Sequence, residues 1–142
     1  MDQGVARGTA GVLLEQAEAS LAEARGLLGG METEAASERA YDAMLRSAQA
    51  VVLHRKGELP ESDFEVIKTF ESEVINTGVV DLRFRGVLMD AYGFKEDYES
   101  LQFPRSMESR VERMCLDARM LINEVREVLA SVPGDISGGA TA

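Results

Sequence analysis

Apolar residues along this chain recur at three and four positions, the α-helical period. No alternating run rich in valine, isoleucine or threonine stands between turn signals, so strands are not expected. A first helix is predicted over residues 10–28, with Leu14, Ala17, Leu21, Ala24 and Leu28 on one stripe and Glu15, Glu18 and Glu23 mostly off it. Thr9 is its expected cap, and Gly29-Gly30 its end, because glycine takes the left-handed cap conformation cheaply. A second helix is predicted over 33–56, closed by Gly57 and followed by the breaker Leu59-Pro60.

A third helix opens at Ser62-Asp63-Phe64-Glu65, where serine followed three residues on by glutamate is a capping box. Phe64, Ile67, Phe70 and Val74 follow at helical spacing until Asn76-Thr77-Gly78. A fourth helix is expected to start near Asp81, carry Leu82, Phe84, Leu88 and Tyr92, and stop at Gly93, with a loop over 94–105. Ser106 caps a last helix whose seam is Val111, Met114, Cys115, Ala118, Leu121, Ile122, Val125 and Leu129. The tail PGDISGGATA, residues 133–142, has nothing to bury and is expected to be disordered, as residues 1–8 are expected to be flexible.

Helices of these lengths joined by short breaks predict an all-α fold, an antiparallel up-and-down bundle of four to five helices in one domain over 1–132. Seven methionines and many alanines must fill its interior, which favours close helix approach at the alanines.

Charge narrows the partners. A net charge of −10 repels phosphate backbones, which argues against non-specific nucleic-acid binding. The single cysteine, Cys115, excludes an internal disulfide and fits a reducing compartment. No apolar run approaches the roughly 18 residues of a membrane span. The start MDQGVARGTA lacks the apolar stretch of a secretory signal, so the expected location is the cytoplasm, away from membranes.

Candidate chemistry gathers on the second helix. At 100° per residue, Tyr41, Met44, Leu45, Ala48, Val51 and Val52 form its core face, within about 60° of a common line. Arg39, Ala43, Arg46, Ala50 and His54 share the opposite side, within about 80°. Small residues between cationic ones leave room for another chain or a ligand. The other reading is a solvated face, with His54, Arg55 and Lys56 favoured by the dipole at the helix end. No HxxxH, CxxC or HExxH spacing marks a metal site, and no cofactor is expected. Cys115, on an apolar seam, reads as a buried inert thiol. Gly29-Gly30 and Gly138-Gly139 lack the strand and lysine of a phosphate loop.

The stretch Arg39-Ala40-Tyr41-Asp42-Ala43-Met44-Leu45, with Ala48, Ala50 and Leu53, resembles the second-helix signature of the HEPN (higher eukaryotes and prokaryotes nucleotide-binding) family, which often reads Arg-Ala-Tyr-Tyr-Ala here. Leu21, Ala24, Leu27 and Leu28, the glycine pair and Glu34-Ala35-Ala36 are similar to the run that precedes it. Phe70 and Gly78 match a phenylalanine helix ending in glycine, and Lys95-Glu96-Asp97-Tyr98 resembles a loop that ends in Asp-Tyr. Arg39, Tyr41, Asp97 and Tyr98 are thereby signature positions.

The resemblance implies a helical bundle, commonly a homodimer, often paired with a minimal nucleotidyltransferase in a toxin–antitoxin system. Active members are metal-independent ribonucleases that use an arginine and a histidine with four to six residues between them. Here Arg46 and His54 have seven residues between them, about 12 Å of axial rise. Lys95 stands where an arginine is common, and Ser62-Asp63 where related chains often carry a histidine. The expected function is therefore a non-catalytic binding component. The alternatives are a degenerate ribonuclease with Arg46 and His54 as acid–base candidates meeting across a dimer axis, and a nucleotide-binding bundle.

Overall fold

The computed structural model describes the backbone of residues 3–98 and 106–131 and the side chains of 8–94 and 107–131. Among the described residues five α-helices follow one another: α1 (Gln3–Gly29), α2 (Thr33–Lys56), α3 (Asp63–Thr69), α4 (Val87–Tyr98) and α5 (Ser106–Ala130). A π-helical segment (Phe70–Ile75) continues α3, and a 3₁₀ turn (Leu82–Phe84) precedes α4. No strand occurs among the described residues. The expected all-α bundle is the fold. The expectations for 133–142, and for the side chains of Asp97 and Tyr98, fall outside the described residues.

α2 is the axis of the bundle. It packs against α1, α3, the π segment, α4 and α5, and its contact with α1 is the most extensive in the molecule. Alanine allows this. Ala10, Ala17 and Ala24 on α1 and Ala36, Ala40, Ala43, Ala48 and Ala50 on α2 are all fully buried. Larger groups then fill the interior around them, chiefly Tyr41, Met44, Phe70, Phe94, Leu121 and Ile122.

The ends of the elements show which local signals acted. α2 spans the expected 33–56, and Gly57 closes it at φ 82°, its amide donating to the Leu53 carbonyl at 2.8 Å. Ser62 caps α3, its Oγ accepting from the Glu65 amide at 3.1 Å. Gly78, at φ 80°, ends the π segment, with the amides of Gly78 and Val79 donating to Ile75 and Val74.

Both ends of α1 and both ends of α4 differ from the sequence pattern. α1 starts at Gln3, so Thr9 lies inside the helix and does not cap it. Its left-handed terminal residue is Met31, at φ 65°, and neither Gly29 nor Gly30 takes that conformation. The amides of Met31 and Glu32 donate back to Leu28 and Leu27, the paired bonds of a Schellman end. α4 begins only at Val87, because Gly86 at φ 79° breaks the chain after the 3₁₀ turn. It then runs through Gly93 to Tyr98, where a loop was expected. A mid-helix glycine costs about 1 kcal/mol, and burial of Phe94, which is 2% exposed, offsets it.

Candidate functional site

The cationic stripe of α2 is only partly a surface. Ala43 and Ala50, read from the helical wheel as its open positions, are fully buried within the chain itself. Arg39, Arg46 and His54 are half-buried, their long side chains passing the alanines toward the surface. Arg39 pairs with Asp42 at 2.7 Å. Arg46 donates from Nη1 to Gln49 Oε1 at 2.9 Å. His54 lies about two turns from Arg46 on the same helix. Beside it, Arg55 Nε donates to the Glu73 carbonyl at 3.1 Å, and Lys56 lies 3.7 Å from the Glu73 carboxylate. The basic last turn of α2 therefore rests on the π segment.

One signature position, Tyr41, sits at a polar junction. Its ring is buried where α2, α3 and α4 meet, and its hydroxyl points toward Asp63 Oδ2 at 3.4 Å. Burial, and then the Asp63 carboxylate, push the phenol well above the usual tyrosine range, so it is a neutral donor. Tyr92 lies 6.3 Å from the Tyr41 ring, and Phe64 lies 6.1 Å beyond Tyr92. The Lys68 ammonium sits 5.6 Å from the Phe64 centroid. Tyr41 thus meets Asp63 and Tyr92, and through Tyr92 the ring of Phe64, at the head of α3. The sequence marked Arg39 and Tyr41 but not the other partners. The available signal was a tyrosine on an apolar helix face, whose hydroxyl needs a polar neighbour from another element.

A second feature is a cavity of about 150 Å³ between α2, α4 and α5. Met44, Phe94 and Met114 line it, with Asp90, Arg110 and Asp117. The Arg110 guanidinium lies 4.4 Å from the Phe94 centroid. Burial raises the Asp117 carboxyl, with Arg113 at 3.5 Å opposing that shift.

A third is an ion cluster between α1 and α5. Glu18 accepts from Arg119 at 2.5 and 3.1 Å and also from Arg126. The Arg119 hydrogen bonds, helped by Arg126, hold the Glu18 carboxyl down to about 2 against the effect of burial. The same bonds raise Arg119 further.

Among the described residues no group of three or more histidine, cysteine, aspartate or glutamate side chains is placed to hold a metal ion. Cys115 is buried, and burial raises its thiol, so the thiolate that would react is disfavoured. Among the described residues no helix is long and apolar enough to cross a membrane.

The HEPN domain pattern matches residues 10–132. The chain is similar to a protein of Methanocaldococcus jannaschii named "Putative toxin MJ0605", 27% identical over 122 residues that cover 84% of this chain and 88% of the archaeal protein. No solved structure matches.

Proposed function

The chain belongs to the HEPN domain family, and on that premise we propose that it is the HEPN component of a toxin–antitoxin-type pair and works by binding protein. It self-associates as a dimer, and its partner is of the minimal nucleotidyltransferase class that the family resemblance implies. The observation that supports binding over cleavage is the disposition of the cations on α2. Arg39 and Arg46 are engaged by Asp42 and Gln49, and His54 is about two turns from Arg46. An acid–base pair must converge on one phosphodiester to cleave it. The net charge of −10 also opposes RNA affinity. The toxin named in the archaeal relative supports the pairing.

The test is co-expression with the product of the adjoining reading frame, followed by co-purification and host growth with and without that partner. A stable complex that changes growth supports the proposal. In parallel, purified protein is assayed for RNA cleavage beside His54→Ala. Equal background from both supports a binding role. Cleavage lost in His54→Ala overturns it in favour of a composite Arg46/His54 site across a dimer axis.

A further inference from the structure

Among the described residues six large apolar side chains are well exposed: Val12, Met31, Phe64, Leu82, Leu116 and Met120. Only Phe64 among them belongs to an aromatic group, and it alone carries a cation on its ring. Its ring is 43% exposed at the start of α3, with Tyr92 on one side and the Lys68 ammonium over it. Glu61, Asp63 and Glu65 surround it in sequence and are all exposed. No ion pair among the described residues engages Glu61 or Glu65.

The chemistry of such a ledge is selective. An aromatic face attracts cations through its quadrupole, and adjacent carboxylates deepen that attraction. Within the chain Lys68, one turn further along the same helix, lies on the ring. Carboxylates at the same place repel a phosphate backbone, and the positive end of the α3 dipole is already met by Ser62 Oγ, Asp63 and Glu65. Arginine fits better than lysine, since its planar guanidinium stacks on a ring and also forks onto a carboxylate.

We propose that the Phe64–Tyr92 ledge is a docking surface for an arginine-bearing segment of a protein partner. This rests on the reading that the chain acts by binding protein. The guanidinium stacks on the exposed part of Phe64, and Glu61 or Glu65 takes its N–H groups. Lys68 competes for the ring from within the chain.

The probe is a blocked hexapeptide of alternating glycine and arginine, titrated into the full chain at physiological salt and followed by tyrosine fluorescence. Peptides with lysine or glutamate in place of arginine, and a short oligouridylate, run beside it. Arginine is expected to bind more tightly than lysine, with the glutamate peptide and the RNA not binding. Phe64→Ala leaves the charge unchanged and weakens arginine binding by roughly three- to tenfold. Phe64→Leu, which keeps an apolar side chain without a π face, weakens it as much. Glu61→Gln with Glu65→Gln also weakens it, and Lys68→Ala strengthens it about twofold. Thermal midpoints confirm that each variant is folded. Arginine binding unchanged in Phe64→Ala, full binding retained by Phe64→Leu, or RNA binding that depends on Phe64 overturns the proposal. If the adjoining gene product still co-purifies while the peptide tests fail, the ledge is refuted and the binding role stands. If the peptide binds as expected and no partner co-purifies, the binding role has failed on its own test.

Discussion

α2 and α5 are helices of almost equal length that solve burial in opposite ways. α5 buries one seam, from Met107 and Val111 to Val125, and turns Leu116 and Met120 outward. α2 buries Ala43, Met44 and Leu45 in succession, and again Ala50, Val51, Val52 and Leu53. Four consecutive helical residues sweep about 300°, so α2 has no fully wet side at that level. A helix enclosed by others needs small residues where neighbours approach and holds charge at the tips of long side chains, or on a short one that such a tip reaches, as Arg39 reaches Asp42. The arginines of α2 are spaced by alanines because the alanines are covered.

That contrast predicts very unequal costs for the same kind of change. Ala50→Glu places a carboxylate where nothing solvates it and is expected to cost on the order of 4 kcal/mol or to prevent folding. Leu116→Glu on the outer face of α5 is expected to stay within about 0.5 kcal/mol. Urea midpoints of the two variants measure this directly. Similar losses for both would mean that α2 is not the enclosed helix.

The two helices should also differ in how their anchoring responds to pH. α2 is held chiefly by apolar burial, with only the exposed Arg55 and Lys56 contacts to Glu73 at its end, whereas α5 adds the ion cluster of Arg119 and Arg126 on Glu18. Glu18 is held below its unfolded value of 4.5, down to about 2. Its contribution is therefore fully present above pH 4.5 and is lost as pH falls through the range toward 2. Glu18→Gln is expected to cost about 1 kcal/mol at neutral pH, allowing for partial exposure and salt screening. The difference from the unaltered protein should shrink below pH 4.5 and in high salt. A cost independent of pH would show that the carboxylate charge is not what the arginines hold.

How far the sequence reveals this depends on whether a feature is local. The bounds of α2 and the Ser62 cap were legible because Gly57 and the Ser-x-x-Glu spacing act within a single turn. The core seam of α5 was legible because one-sided burial leaves a clean period. The enclosure of α2 was not, since a helical wheel gives angles and cannot count neighbours. α4 was misjudged at both ends. Gly86 takes the left-handed conformation and stops a helix that the apolar spacing favoured, while Gly93 continues one because Phe94 gains burial. At the site, Arg39 and Tyr41 stood out, whereas Asp63, Tyr92 and, beyond it, Phe64 are brought to Tyr41 only through packing of three elements.

The smallest expected effect concerns how the chain enters and leaves α2. It leaves through Gly57, a glycine at φ 82°, and enters through Met31, a methionine at φ 65° that is 80% exposed. The two turns ask for the same backbone, but only the second carries a Cβ that collides with its own carbonyl. Met31 loses little burial when replaced, so its removal tests the backbone alone. Met31→Gly relieves that collision and also gives the unfolded chain more freedom, which offsets part of the gain. The expected net result is a stabilisation of about 0.5–1 kcal/mol, read as a higher urea midpoint at unchanged slope. Gly57→Ala imposes the same collision on the other turn and should destabilise by a similar amount. Opposite signs for the two substitutions would establish that α2 is entered through strain and left without it, whereas a Met31→Gly variant weaker than the parent would place a stabilising contact on the methionine side chain.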